Sequence, residues 1–171
     1  KQFTNFTINE GLTGNIIYQI SELDDGSIWA GTNDGISVFQ NGKFSSIDIS
    51  KGVSVKKVTA ILEDYKKNKW FSTYGNGMCL IDHGRFFTLT KDEGLTDNNI
   101  LCMKEDNEGN IWIGTPRGLC RYSGGRFITY TTENGFTHNR LQSAHTDQLN
   151  RIWFGIVHGG LNYIHGNTVY T

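Results

Sequence analysis

The stretch GLTDNNILCMKEDNEGNIWIGTPRGLCRYSGGRFITY, residues 94–130, carries a pattern that recurs along the whole chain. Its Trp112 has counterparts at Trp29, Trp70 and Trp153, so the tryptophans are 41, 42 and 41 residues apart. Each tryptophan follows a block that resembles 94–106, and a Gly-x-Phe block follows the first three. A period of this size across a chain indicates a repeat architecture.

Each repeat is predicted to form four short strands. In the second repeat these are residues 57–63, 69–73, 78–81 and 85–90, which are rich in β-branched and aromatic residues and separated by Gly, Asn and Asp. Apolar residues at helical spacing are missing, which excludes a helical solenoid, and a parallel β-helix would need shorter coils. The sequence therefore predicts an all-β fold, a β-propeller with four blades of four antiparallel strands each.

The repeat spacing also sets the expected blade boundaries. Residues 3–12 align with 127–136, and residues 1–10 are predicted to be the outer strand of a preceding blade. A four-bladed ring closed by this segment is one alternative, but both ends stop within a strand pattern, so we expect an open arc of a ring of about seven blades. The blades are predicted at 11–51, 52–93, 94–134 and, with a truncated outer strand, 135–171.

Some recurring residues are interpreted as structural. A tryptophan in every blade favours packing between neighbouring blades over sugar stacking. A small residue two positions later lets adjacent sheets approach, and Ser72 takes this place in the second repeat. The structural set is Trp29, Trp70, Trp112, Trp153, Gly31, Gly114 and Gly155.

Composition narrows the functional classes. The net charge of the 171 residues is −1, which gives no basis for binding nucleic acid or an anionic membrane. No run of 18 apolar residues is present, so no membrane contact by this segment is expected. Cys79, Cys102 and Cys120 lack CxxC spacing and the histidines are scattered, so neither a metal site nor a cofactor is predicted.

The third repeat resembles the two-component regulator propeller repeat almost throughout. The first resembles it with Leu23 in place of the usual Asp, the second lacks the hairpin Gly and has Ser72 for Gly, and the fourth has Ile156 where Thr is usual. The resemblance implies a periplasmic sensor segment whose parent chain continues into an immunoglobulin-like domain, a membrane helix and an output module. In that family the output module is often a histidine kinase and sometimes a diguanylate cyclase, and the inputs are often glycans or their breakdown products.

Strand parity predicts where a ligand would bind. The loops from the second to the third strand share one face with the connections between blades, and they vary most between repeats. Arg117 suits a carboxylate or uronic acid, and Tyr74 suits stacking on a sugar. The alternative is that these are solvated loop tips or contacts to further blades. The candidate ligand-binding residues are Asp34, Tyr74, Asn76, Arg117, His138, Arg140 and His158.

An enzyme is not predicted for this segment. The box Asp24-x-Gly26-x-Ile28-Trp29 resembles a turn of sialidase propellers, but that turn is structural. Because the carboxylates recur in equivalent positions, they are interpreted as turn formers rather than as an acid/base pair. They are Glu63, Asp64, Glu105, Asp106 and Asp147.

The predicted function is a sensory, ligand-binding propeller segment of a bacterial two-component regulator. The expected partners are an oligosaccharide or other small molecule, the remaining blades and signalling domains of the parent chain, and a second copy of that parent. The alternatives are a protein–protein interaction scaffold, which predicts an exposed apolar patch, and a propeller lyase or hydrolase. A sensor instead predicts a polar and aromatic cleft near the propeller axis.

Overall fold

A computed structural model describes residues 3–47 and 56–171. Within this part of the chain the strands form four separate four-stranded antiparallel sheets, each a simple meander. These sheets are called blades 1 to 4. The predicted all-β fold of four four-stranded blades is confirmed. The predicted boundary between blades 1 and 2, at residues 51 and 52, lies outside the described residues.

The strands follow the repeat along the chain. Blade 1 consists of β1 (Ile17–Glu22), β2 (Ile28–Thr32), β3 (Ile36–Gln40) and β4 (Lys43–Ser46). Blade 2 consists of β5 (Val58–Glu63), β6 (Lys69–Thr73), β7 (Met78–Asp82) and β8 (Arg85–Leu89). Blade 3 consists of β9 (Cys102–Glu105), β10 (Ile111–Thr115), β11 (Gly118–Ser123) and β12 (Arg126–Tyr130). Blade 4 consists of β13 (Leu141–Thr146), β14 (Ile152–Ile156), β15 (Gly160–His165) and β16 (Thr168–Tyr170).

Capped turns precede blade 1 and link blade 2 to blade 3 and blade 3 to blade 4. In the connection after blade 3, the Thr131 side chain accepts a hydrogen bond from the Glu133 amide, and the 3-10 turn Thr132–Asn134 ends at Gly135 with φ 103°. A position with this left-handed backbone conformation favours glycine, because glycine has no Cβ. The turns Lys91–Glu93 and Ile8–Glu10 are built in the same way.

The N-terminal segment differs from its prediction. Residues 3–7 are in no strand, and only the capped turn from Thr7 onward follows the repeat. A strand persists only when a neighbouring strand satisfies its backbone groups, and no described strand pairs with residues 3–7. Phe6 instead packs against Phe39 and Phe44, with ring centroids 5.7 and 5.2 Å away.

The core lies between the blades, and the tryptophans form much of it. Trp29 of blade 1 stacks on Phe71 of blade 2, with ring centroids 5.6 Å apart and planes 4° apart. Trp112 likewise meets Phe154 of blade 4 at 6.2 Å. Each of the three described core clusters combines residues from two consecutive blades. The tryptophans therefore join blades, and the first three are buried in doing so.

The glycines after the tryptophans allow this close approach. A Cβ on Gly31 would lie 2.6 Å from the carbonyl oxygen of Val58, in the next blade. A Cβ on Gly114 would lie 3.1 Å from the carbonyl oxygen of Leu141. A side chain at either position would therefore force two sheets apart.

The blades form an open arc. Along it the inner strands contact each other in order, β1 with β5, β5 with β9 and β9 with β13. Ile20 on blade 1 and Leu161 on blade 4 are both exposed, although their counterparts Ile61 and Ile36 are buried between blades. Blades 1 and 4 therefore do not cover each other, which rules out a closed four-bladed ring.

Candidate ligand-binding face

The loops between the second and third strands of the blades lie on the same face as the connections between blades. This face is called the upper face. Tyr74 forms an isolated bridge with Asn99 of the connection to blade 3. The amides of Gly75 and Gly77 donate to the carbonyl oxygen of Asn98 at 3.2 and 2.9 Å. These contacts fix the loop at the end of β6 against the start of blade 3.

A cleft on the upper face lies between blades 1 and 2. It has a volume of about 240 Å³ and is lined by Tyr18, Lys57, Thr59 and Tyr74. Both tyrosines are about half exposed, and the Lys57 ammonium lies 5.8 Å from the centre of the Tyr74 ring. Two aromatic faces beside a cation can take a ligand that has both a flat apolar surface and an acidic group.

Backbone contacts hold this cleft in place. The Lys57 amide donates to the Asn33 carbonyl at 3.0 Å, and the Tyr74 amide donates to the Lys57 carbonyl at 3.1 Å. Thr59 donates to the carbonyl of Ile100 at 2.8 Å and so links the cleft to blade 3. The side chains therefore project from backbone that three blades support.

Tyr18, Lys57 and Thr59 were missed by the sequence reasoning. Tyr18 and Thr59 occupy the same position of the innermost strand, where blades 3 and 4 have Leu101 and Gln142. Variation at this aligned position was the available signal, because a residue that only supports the blade would be expected to recur. Of the seven residues predicted from the loops, Tyr74 lines the cleft.

Arg117 is already paired within the protein. Its Nε lies 3.1 Å from Oδ2 of Asp97, and its side chain is largely exposed while that of Asp97 is mostly buried. Asp97 also accepts from the Asn99 amide at 2.8 Å. An acidic ligand at Arg117 would therefore have to share the guanidinium with Asp97.

The remaining predicted residues are spread along the upper rim. Asp34 is exposed, and its amide donates to Thr32 Oγ1 at 3.1 Å. The amide of Asn76, also exposed, donates to Thr73 Oγ1 at 3.2 Å. In blade 4, the Arg140 amide donates to His138 Nδ1 at 3.1 Å, and exposed His158 has φ 59°.

Further cavities lie on the opposite face, and they include an equivalent pair, one between blades 2 and 3 and one between blades 3 and 4. Their volumes are about 360 and 260 Å³. The first contains Asp64, Trp70 and Ile111, and the second contains the equivalent residues Asp106, Trp112 and Ile152. Because the same cavity recurs, we attribute its shape to the splay of neighbouring blades.

The recurring aspartates hold the tryptophans and the hairpin turns. Trp112 Nε1 donates to Oδ2 of Asp106 at 2.7 Å, while Oδ1 accepts from the amides of Glu108 and Asn110. Asp64 and Asp147 repeat this arrangement. In blade 1, Leu23 replaces the aspartate, and Trp29 donates instead to Ser27 at 2.8 Å. These carboxylates therefore serve the architecture.

The recurring glutamates join neighbouring blades. Glu63 accepts from the Asp24 amide at 2.8 Å, and Glu105 accepts from the Tyr65 amide at 3.1 Å. Burial raises the pKa of Glu105, partly offset by the hydrogen bond from the Tyr65 amide. In blade 4 the same position is Thr146, whose hydroxyl donates to the Glu105 carbonyl at 2.8 Å.

Two of the three cysteines are core residues, and Cys102 is partly buried. Cys79 and Cys120 are fully buried, and desolvation raises the pKa of the Cys79 thiol to about 11. Burial also raises the pKa of Cys102 to about 12. Among residues 3–47 and 56–171, no group of three or more His, Cys, Asp or Glu side chains is placed to hold a metal ion.

Four radially repeated antiparallel blades define a β-propeller arc. Residues 11–34 and 94–117 match the model of the family described as two component regulator propeller. The resemblance is thus confirmed, and repeats of this family are present in blades 1 and 3. These are the two blades whose sequences follow the pattern best.

Solved structures share the propeller fold. The extracellular domain of the putative one component system BT4673 from B. thetaiotaomicron has a TM-score of 0.75 at 26% identity, over 90% of this chain and 22% of that one. The extracellular domain of the putative hybrid two component system BT3049 from B. thetaiotaomicron has a TM-score of 0.54 at 18% identity, over 95% and 29%.

An enzyme shares the fold as well. A streptogramin B lyase has a TM-score of 0.74 at 17% identity, over 94% of this chain and 55% of that one. At that identity the likeness concerns the fold alone. This chain thus spans between about a fifth and about half of the length of these three proteins. No curated protein matches it in sequence.

The helices of the described residues are short 3-10 turns. Over the described residues, none has the length and apolar character needed to cross a bilayer.

Proposed function

We propose that this chain is a ligand-binding sensor segment of an extracytoplasmic regulator of the two-component type. The observation that carries the proposal is the pair of regulator propeller repeats at residues 11–34 and 94–117. The similarity to the extracellular domain of a putative one component system supports the same role and compartment. The chain would occupy the periplasm and pass its signal to a downstream output module.

The cleft between blades 1 and 2 is the proposed binding site. It has the polar and aromatic character expected of a sensor, because two tyrosines and a lysine surround it. An oligosaccharide that carries a carboxylate suits it best, since sugar faces can pack on Tyr18 and Tyr74 while the acid group approaches Lys57. The upper loops of blades 3 and 4, with Arg117 and Arg140, would contact a longer ligand.

A binding titration tests this proposal. The chain is titrated by calorimetry with neutral and uronic-acid-containing oligosaccharides. Tyr18→Ala and Tyr74→Ala are each expected to weaken binding about tenfold, because loss of one aromatic contact costs about 1 kcal/mol or more. Lys57→Met is expected to weaken binding of the acidic sugars and to leave binding of neutral ones unchanged.

Tyr65→Ala is the matched control, because Tyr65 is also exposed but lines cavities on the opposite face. Binding that is unaffected by the cleft substitutions, or equally weakened by Tyr65→Ala, would move the site elsewhere. A complete lack of binding across the panel would refute the glycan ligand.

The two alternatives have less support. The large exposed apolar residues of blade 1 include Ile17 and Ile20, which lie where other blades pack rather than on a separate patch. That placement argues against a scaffold surface. Propeller lyases share the fold, but the repeated carboxylates here are engaged by tryptophans and turn amides.

A further inference from the structure

The cavity between blades 3 and 4 on the opposite face carries an arginine where the other blades have uncharged side chains. Arg121 lies beside Trp112 on the neighbouring strand, and Leu80 lies beside Trp70 in the equivalent cavity between blades 2 and 3. The residues at this position in blades 1 to 4 are Val38, Leu80, Arg121 and Tyr163. The blade architecture therefore does not require the arginine.

Other polar side chains surround the same cavity. Asn150 and Asn167 line it at positions where the equivalent cavity has glycines, and Glu108 stands where that cavity has a lysine. The splay of the blades accounts for the shape of both cavities but not for these replacements. Variation on a repeated frame indicates recognition rather than support.

The Arg121 guanidinium has donors that the protein does not use. Its central carbon lies 5.5 Å from the centre of the Trp112 ring, Nη1 donates to Oδ1 of Asn167 at 3.3 Å, and Nε is buried without an acceptor. In the part of the chain that the structure describes, no carboxylate forms an ion pair with it, whereas Arg117 and Arg151 each have one. A guanidinium that is partly removed from water and lacks a counterion favours a carboxylate.

Two side-chain amides add donors to this contact. Oδ1 of Asn150 accepts from the Asn107 amide at 2.9 Å, and Oδ1 of Asn167 accepts from Arg121. Because both carbonyl oxygens are engaged, the NH₂ groups of Asn150 and Asn167 are the parts left to bind a ligand. The cavity therefore offers two neutral donors in addition to the guanidinium.

The two carboxylates of the cavity differ in what they already bind. Asp106 accepts from the Trp112 side chain at 2.7 Å and from the Asn110 side chain at 2.8 Å. Glu108 is exposed, and the hydrogen bond that it accepts from Asn110 is long, at 3.4 Å. Glu108 is therefore the carboxylate left to meet a cation.

The charges of the lining favour a zwitterion over a simple anion. Asp106 and Glu108 carry two negative charges and Arg121 carries one positive charge, so the lining has a net charge of −1. The carboxylates would repel a simple anion, whereas a molecule with a carboxylate and an ammonium group meets both signs of charge. The volume of about 260 Å³ holds about eight water-sized groups at about 30 Å³ each, which suits a small amino acid.

We propose that the cavity between blades 3 and 4 binds a free α-amino acid, with its carboxylate on Arg121 and its ammonium group on Glu108. This site lies on the face opposite the cleft with Tyr18 and Tyr74, so the chain has a second input besides the one proposed above. Because Arg121 and Glu108 belong to blade 3 and Asn167 belongs to blade 4, a bound amino acid joins the two blades and stabilises their packing.

Nuclear magnetic resonance of the ¹⁵N-labelled chain tests this proposal. Each standard amino acid is added in turn, and the Nε–H signal of Arg121 and the Nε1–H signal of Trp112 are followed. At least one amino acid is expected to shift both signals to saturation. Its N-acetylated form and its carboxamide are expected to bind about tenfold more weakly or worse, because each lacks one charge of the zwitterion.

Two substitutions separate the charges of the site. Arg121→Leu gives blade 3 the residue of blade 2 and is expected to weaken amino acid binding about tenfold or more, because a charged donor is lost. Glu108→Gln should weaken binding of the amino acid but not of the matching carboxylic acid without an amino group. Arg85→Leu is the matched control, because Arg85 is exposed on the outer strand of blade 2 and does not line this cavity.

Asn167→Gly provides a second test of the same contact if circular dichroism shows that Arg121→Leu changes the fold. It gives blade 4 the glycine that blade 3 has at the equivalent position, and it removes the amide that holds Arg121. Amino acid binding should weaken severalfold.

The proposal fails if no amino acid shifts the two signals, if binding is unchanged in the Arg121 and Asn167 variants, or if a simple carboxylate binds as tightly as its amino acid. Tyr18→Ala and Tyr74→Ala should leave amino acid binding unchanged. The amino acid site and the sugar-binding cleft are therefore tested independently.

Discussion

The interface between blades 1 and 2 and the exposed face of blade 1 present the same repeat positions in two different settings. Between the blades, Ile61 lies in a core with Trp29 and Phe71. On the exposed face, its equivalent Ile20 is in contact with solvent. The difference shows that the repeat specifies a surface that is stable only with a neighbour, because one sheet face cannot bury itself.

The largest expected difference concerns these two isoleucines. Ile61→Ala should lower the free energy of unfolding by about 2–5 kcal/mol, because it leaves a cavity in a packed core. Ile20→Ala should change it by less than about 0.5 kcal/mol when the chain is monomeric. Urea denaturation of both variants at low protein concentration measures the pair, and equal effects would contradict the comparison.

The glycines after the tryptophans give the next contrast. Gly31→Ala should destabilise the chain by about 1–3 kcal/mol, because the new Cβ would lie 2.6 Å from a carbonyl of the next blade. Gly155→Ala should be milder, since its new Cβ would meet only the Ser143 hydroxyl, which can rotate away. Thermal unfolding of the two variants compares them, and a larger loss for Gly155→Ala would be inconsistent with an open face on blade 4.

The aspartates that hold the tryptophans give a smaller contrast. Asp106→Ala should cost about 1–3 kcal/mol, because the buried Trp112 N–H and two turn amides lose their acceptor. Asp147→Ala should cost less, since Trp153 is only half buried and water can replace the carboxylate. Chemical denaturation monitored by tryptophan fluorescence measures the stability of both variants. Of the two, only Asp147→Ala should change the fluorescence of Trp153 in the folded state.

The smallest expected effect is a pH dependence at blade 4. Burial alone would raise the pKa of Asp147, but hydrogen bonds from Trp153, Arg151 and Leu149 outweigh it and hold the pKa well below its usual value. A depressed folded-state pKa stabilises the fold above the unfolded-state value of about 3.9, and this contribution is lost as the pH falls below it. Asp147→Asn should flatten the dependence between about pH 5 and pH 2 in urea midpoints, whereas an unchanged profile would assign the acid sensitivity to other carboxylates.

Much of the architecture could be predicted because the same sequence pattern occurs four times. The period of the tryptophans gave the number of blades, and the alternating β-branched residues gave four strands in each. The outer strand predicted for residues 1–10 is not formed at residues 3–7, because no described strand lies beside them. Pairing depends on a partner that a local pattern cannot supply.

The candidate site was predicted less completely. Loop variability pointed to Tyr74, which lines the proposed cleft, whereas Lys57 and Tyr18 lie on or beside inner strands whose pattern is that of structural residues. Arg117 looked available in the sequence, although Asp97 binds it in the folded chain. The spacing of residues in the sequence does not show that Asp97 lies beside Arg117. It also does not show that Tyr18 and Tyr74 line the same cleft.

The sequence by itself determined the blade, because strand period, turn residues and the tryptophan position are local properties that each repeat restates. Only the tertiary structure decided which residues share a cleft and which faces stay open. Those features depend on the angle and distance between neighbouring sheets, which arise from the packing of side chains far apart in the chain.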